Sequence, residues 1–408
     1  MINKIDLKKI DISRWYYVLV VIGYILTLIS SSVRPGVIAT GLLLLLLLQL
    51  CIQKKIKLEN TFDKLTVIFF AYNLLSGIWC IYFGVSASIF VGEFVTSALP
   101  IIFYFVGKTV GDDAEKFYKA FLVAVILIGA VGLILFILAP QFYLDYLFDY
   151  NYISKADAST MRIRMISVVG SILVGYISVC GMCIASGLML KYQGRKYKAA
   201  LFLSCLFAFL SNQRSAMFVA ILVLVYVNYL IFFVYKMLPK KYFIYECGAF
   251  VAGFIIMCVV FFRAILKVYY RLVSLPGAIG QRSDQWVGAV NNMKNLWLGN
   301  GLGASGHRAV YINDYIVADG GLVKMFCEMG ILGTSVFAFL LILLLKKSKN
   351  KLLLCAGEIG LIVATILQSI GSNILEFQLA VPIFWFAVGR IVYIISKENS
   401  DDGTGKEA

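Results

Sequence analysis

Apolar runs of about twenty residues recur along this chain almost from end to end. A bilayer hydrocarbon core about 30 Å thick takes about 20 apolar residues of helix to cross. Composition points the same way. Over 408 residues the chain is 61% hydrophobic and only 14% charged, whereas soluble domains are roughly half apolar and about a quarter charged. The expected fold is therefore all-α and polytopic, with about twelve transmembrane helices. The runs lie near 15–33, 36–52, 65–83, 86–107, 117–139, 166–190, 199–211, 216–235, 243–262, 319–345, 352–371 and 375–395. "GLLLLLLLQL" in the second reads as lipid-facing filler. The basic stretch "KIDLKKIDISR" before the first span has no small-residue cleavage signature, so that span reads as an uncleaved anchor.

A formal charge of +15 could point to nucleic acid, but its placement points to topology. The basic loops "QKKIKLEN", "KYQGRKYK", "YKMLPKKY" and "KKSKNK" all fall on one side of the twelve-span arrangement. Lys and Arg mark cytoplasmic loops, which puts both termini in the cytoplasm and predicts no nucleic-acid partner. The expected organisation is a cytoplasmic start at 1–14, nine spans over 15–262, a long external loop over 263–318, three spans over 319–395 and a polar tail over 396–408. The nine cysteines lie in or at the edges of spans, so no disulfide-stapled ectodomain is expected. "CGMC" at 180–183 has redox spacing, yet within a span it reads as small packing residues.

In the long loop, Arg263, Lys267 and Arg271 repeat every four residues and share one helical face. "QRSDQWVGAVNNMKNLWL" follows and predicts a second helix, with Ser283 as N-cap and Asp284 in its first turn. Trp286, Val290, Met293 and Trp297 repeat at helical spacing. Next comes "GNGLGASGHR", with Gly299, Gly301, Gly303 and Gly306 beside the only histidine, His307. A soluble-type phosphate loop needs a preceding strand and the cytoplasmic nucleotide pool, whereas this segment follows a helix-like run, "NLWL", and faces outward. The remaining reading is a flexible external segment whose backbone N–H groups are open to an anion. His307, in a polar loop beside Arg308, is a candidate base near neutral pH.

Eight cations fall on the external side: Arg162, Arg164, Arg214, Arg263, Lys267, Arg271, Arg282 and Arg308. Arginines at helix ends often snorkel to headgroups. Arg214 is different, because "SNQRSAM" is a tight turn that holds a guanidinium among hydroxyls and amides, a set suited to phosphate oxygens. Charges inside spans are expensive and are functional candidates by default. Glu328 and Lys324 stand one helical turn apart and can neutralise each other. Glu93 lies in the outer half of the fourth span and Glu376 at the outer end of the last, so the carboxylates gather on the side of the arginines.

The tight "S-x-x-R-S" turn, the long loop with "R…W…L-G-x-G-x-G", and "ADGGLVKMFCEMGILG" after it occur in that order. Together with "RIRMISVVGS" at the start of the sixth span, this pattern resembles the superfamily of Wzy-type O-antigen and capsule polymerases and O-antigen ligases, over about 160–395. The resemblance implies an integral glycosyltransferase of polysaccharide biosynthesis, lipopolysaccharide or capsule, at the outer face of the cytoplasmic membrane. It implies undecaprenyl-pyrophosphate-linked glycans as donor and acceptor, no nucleotide sugar, no cofactor and no metal. A flippase and a chain-length regulator are the implied partners. It assigns the pyrophosphate to Arg214, Arg282 and Arg164, with Arg308 and Arg271 as further external cations. Asp319 and His307 compete as catalytic base, and Glu328, Lys324 and Glu93 support them. Ligases of the superfamily carry a His-Asn pair where this chain has Asp319-Gly320, and His307 lies twelve residues earlier, which favours a polymerase. The alternatives are a ligase of the same superfamily and a flippase of lipid-linked oligosaccharide.

Overall fold

A computed structural model describes residues 11–138, 165–239, 241–245, 275–313 and 315–404, with isolated positions at 248, 252 and 266. Among these residues the chain is all-helical, without strands. The helices are α1 (Ile12–Leu26), α2 (Pro35–Ile52), α3 (Thr61–Tyr82), α4 (Ala87–Glu93), α5 (Phe103–Thr109), α6 (Ala114–Leu138), α7 (Ser171–Tyr192), α8 (Arg195–Leu210) and α9 (Arg214–Tyr229). They continue with α10 (Leu275–Asn291), α11 (Gly321–Ser348), α12 (Leu352–Gly371) and α13 (Val381–Thr404).

Seven helical segments among the described residues are long and apolar enough to cross a membrane, and α1 is a shorter apolar one. The expected twelve spans are not confirmed. The seven count Gly321–Gly371 once, although it holds both α11 and α12, joined through a 3-10 turn. At sixteen residues α8 is short, and α13 carries Arg390 and Lys397 within its apolar run. The expected ninth span lies almost wholly outside the described residues. In the fourth span the rod is interrupted: α4 passes through a π-turn at Phe94–Ala98 and a 3-10 turn at Leu99–Ile102 before α5. Pro100 causes the change, since it has no N–H to donate to the preceding turn.

α7 is the hub, with 89% of its best apolar window buried, against 28% for α2 and 33% for α3. It packs on α6, α8, α9 and α12. Its small residues allow this: a side chain at Gly187 would press on the backbone of Gly357, and one at Gly181 on Ser204. Small residues let membrane helices approach closely where lipid gives little hydrophobic drive to associate. Cys180 and Cys183 are wholly buried there as free thiols, in keeping with packing. α5 and α13 cross the same way, Gly107 against the Phe386 carbonyl and Gly389 against the Tyr104 carbonyl. By contrast, Leu44, Leu45 and Leu48 of the leucine run are about half exposed, as a lipid-facing surface requires.

Two local expectations are corrected. The helix predicted to start at Ser283 begins at Leu275, so Ser283 is interior and caps nothing. Pro276 in its first turn is where a helix tolerates proline. The same helix ends at Asn291, which leaves Met293 and Trp297 beyond it. Met293 still packs with Trp286 and Val290 around Ala289, Val317 and Cys327, while Trp297 is 60% exposed.

Candidate functional site

The tenth span is broken. Gly330 inside α11 has φ 61° and ψ −166°, a combination essentially reserved for glycine. The break frees backbone groups, and residues 295–301 take them up. Asn300 and Gly301 donate N–H to the carbonyls of Cys327 (2.8 Å) and Glu328 (2.9 Å). Ile331 and Leu332 donate to the carbonyls of Leu296 (3.0 Å) and Trp297 (3.1 Å). Tyr72 of α3 adds its hydroxyl to the carbonyls of Leu298 and Met329. Non-helical backbone at membrane depth survives only when protein satisfies it in this way.

This corrects the expectation for "GNGLGASGHR". Residues 300–306 are buried in the bundle. The N–H groups of Gly299 and Gly301 are already given to protein carbonyls, so they do not form an open anion nest. Gly301, at φ 89°, lies flat against the backbone of Cys80, and a side chain at Gly306 would strike Lys324. The glycines are there for close approach.

Lys324 gains its surroundings from this packing. Its ammonium donates to Glu93 Oε1 at 2.5 Å and to Glu376 Oε2, while Glu328, one turn away on the same helix, stands at 3.8 Å. The expected Lys324–Glu328 pair is therefore the loosest of three. Glu328 instead accepts the backbone N–H of Ser305 at 3.2 Å. Arg308 reaches Glu93 Oε2 at 3.5 Å, over Gly92, where a side chain would collide with its guanidinium. The formal balance is three carboxylates against two cations. Lys324, Glu93 and Glu328 are at most 5% exposed, a burial that charged groups bear only when paired and hydrogen-bonded. Lys324 occupies the centre where a cation would otherwise sit, and no metal-ligand cluster occurs among the described residues.

Asn73, Ser97, Phe337 and Trp385 help line the cavity beside this cluster. Its volume of about 50 Å³ admits three or four waters, at about 10–15 Å³ each by this measure. A sugar ring does not fit in it, and the surface next to it is more open. There Arg282 Nη2 donates to Asp319 Oδ2 at 2.7 Å, with both side chains about a third exposed. Trp286 Nε1 donates to the Asp319 carbonyl at 2.6 Å and fixes the residue just ahead of α11. His307 is exposed.

The Arg214 turn joins the same end through the turn between α12 and α13. Gln213 Nε2 donates to Ser372 Oγ at 2.9 Å. The Ser372 carbonyl accepts from Gly321 N at 3.3 Å, and Asn373 Nδ2 donates to the Val317 carbonyl at 2.8 Å. Arg214 is partly exposed and has no ion-pair partner among the described residues. Gln213 Oε1 beside it, and Asn373 Oδ1 in the turn between α12 and α13, are buried acceptors without a donor among the described residues.

Of the residues singled out in sequence, the structure thus brings together Arg214, Arg282, Asp319, Lys324, Glu328, Glu93, Arg308 and His307 at one end of the bundle. Arg164 and Arg271 lie outside the described residues, as do Arg162, Arg263 and Lys267. Glu376 is the partner that reasoning from spacing left unassigned. It stands 52 positions from Lys324, and only its expected sidedness hinted at a meeting. No protein-family profile matches the chain, and a search of curated proteins finds no relative.

Proposed function

We propose that the chain is a lipid-linked glycan polymerase, a glycosyltransferase acting at the outer face of the cytoplasmic membrane. The observation that supports this reading is the placement of Arg214, Arg282 with Asp319, Arg308 and His307 at one end of the bundle, with each arginine at least partly exposed. Guanidinium groups suit pyrophosphate oxygens, and a carboxylate or imidazole beside them can take a proton.

In the proposed step, a hydroxyl oxygen of an undecaprenyl-pyrophosphate-linked acceptor attacks the anomeric carbon of the donor glycan. The carbon–oxygen bond to pyrophosphate breaks, and lipid pyrophosphate leaves with the electron pair. Arg214, Arg282 and Arg308 stabilise that leaving charge, with Arg164 and Arg271 as further candidates. The hydroxyl proton passes to Asp319 or His307. Lys324, Glu93 and Glu328 hold the 295–308 stretch and α11 in register beneath them. A flippase would deliver the substrate, and a chain-length regulator would act on the product.

The test uses purified full-length protein in detergent with lipid-linked repeat units. Elongation is expected from the wild type. Arg214→Ala is expected to lose products longer than one repeat while remaining folded, and a normal ladder from that variant would overturn the assignment. Asp319→Asn and His307→Gln, run side by side, identify the base.

One observation favours a second reading, a transporter of the lipid-linked unit. Transporters often use discontinuous helices with buried ionisable groups at the break, and α11 breaks at Gly330 two residues beyond Glu328. Elongation in detergent, with no membrane to cross, separates the two readings.

A further inference from the structure

The end of the bundle away from Arg214 holds a second, larger cavity. It encloses about 550 Å³ between the ends of α6, α7, α12 and α13, within the roughly 300–1,000 Å³ of small-molecule sites. Arg390 of α13 lines it and is only 9% exposed. Its Nη1 donates to the Gly111 carbonyl, its guanidinium lies 4.7 Å from the centre of the Tyr393 ring, and no described carboxylate is within ion-pairing distance. Lys191, exposed beside the Tyr192 ring, and Lys397, 6.0 Å from the Tyr393 ring, add two more cations.

Against these stand two carboxylates. Glu115 is already paired with Lys119 at 2.6 Å and accepts from the Tyr197 hydroxyl. Glu358 accepts from the Tyr118 hydroxyl at 2.8 Å and has no cation within ion-pairing distance among the described residues. The cavity therefore carries surplus positive charge. Its rim is apolar: Leu353 and Leu354 border it and are 56% and 58% exposed. A ligand that uses both features needs an anionic head and a hydrocarbon tail.

We propose that this cavity binds an anionic phospholipid, with the headgroup phosphodiester on Arg390 and Lys191 and an acyl chain along Leu353 and Leu354. The exposed leucines distinguish this ligand from free phosphate, which has no use for them. The position agrees, because Lys54, Lys55, Arg195, Lys196 and Lys198 crowd the helix ends on the side where α7 terminates. Basic pockets between helices on the cytoplasmic side are where acidic lipid heads bind. The site is separate from the proposed transfer chemistry and stands whether or not that reading holds.

Native mass spectrometry of the purified full chain, supplied with phosphatidylglycerol or phosphatidylethanolamine, tests it. Phosphatidylglycerol is expected to be retained in preference, and Lys191→Gln and Arg390→Gln are each expected to weaken retention about fivefold, the effect of one near-surface cation. Lys191 is exposed, so Lys191→Gln keeps the test decisive if the Arg390 variant fails to fold. Equal retention of the two lipids, or unchanged retention in a folded variant, overturns the proposal. Displacement of phosphatidylglycerol by millimolar inorganic phosphate overturns the lipid assignment in favour of a free-phosphate site.

Discussion

Lys324 meets carboxylates from three separate stretches of chain, so its removal does more than delete one charge. Lys324→Met leaves Glu93, Glu328 and Glu376 facing one another, with Arg308 the one ion-paired cation left among the described residues. Breaking a buried ion pair by removing one partner costs about 3–5 kcal/mol. The expected outcome is a marked fall in the thermal midpoint in detergent, with partial recovery in Lys324→Arg. An unchanged midpoint in Lys324→Met would show that the cluster adds nothing to stability. The Arg282–Asp319 pair, about a third exposed, lies at the other extreme. Exposed pairs contribute about 0–1 kcal/mol, so Asp319→Asn is expected to leave the midpoint nearly unchanged while lowering polymerisation. A midpoint loss as large as that of Lys324→Met would make Asp319 structural.

At the scale of elements, the informative unit is α11 with the 295–301 stretch hydrogen-bonded across its break. Gly330→Ala places a Cβ against Trp297 and Gly299 in a backbone region essentially closed to other residues, at about 1–3 kcal/mol for the strain alone. The variant is expected to lose monodispersity on size-exclusion chromatography, whereas Gly280→Ala, with nothing near its Cβ position, is expected to behave as wild type. Sequence reasoning located α11 and the charges on it, because apolar length and charge within a span are both linear signals. It could not locate the break, since the hydrogen bonds that make Gly330 tolerable come from residues about thirty positions earlier. For the same reason the glycines of "GNGLGASGHR" read as flexibility. Their close contacts with Cys80, Glu93 and Lys324 are long-range. Ser283 resembled a cap because an N-terminal signature was present, and the helix ran on through it from Leu275.

For the whole molecule, the two ends differ in character. One gathers ion pairs and polar turns around Arg214 and Asp319, and the other gathers lysines and the Arg390 cavity. If both termini and the lysine-rich loops are cytoplasmic, cysteines introduced at Gln193 and His307 must react with a membrane-impermeant thiol reagent from opposite faces of sealed vesicles. Labelling of both from the same face would refute the topology and move the proposed transfer site to the other side. The all-helical, membrane-spanning character was readable from composition and run length. The number of crossings was not, because α8 is short, α11 and α12 join through a turn, α13 carries charge within its apolar run and the expected ninth span lies almost wholly outside the described residues.

The bonding across Gly330 also bears on the order of events during synthesis. The 295–301 stretch leaves the ribosome before Cys327, Glu328 and the rest of α11 exist, and its other neighbour, Cys80 of α3, was made more than two hundred residues earlier. Until about residue 332 has emerged, Asn300 and Gly301 lack the carbonyls that receive their N–H groups, and the carbonyls of Leu296 and Trp297 lack their donors. The stretch must wait in water and dock late, drawn in as the first half of α11 arrives. Lys324 can meet Glu93 at that moment, and Glu376 must join later still, once α12 has turned back.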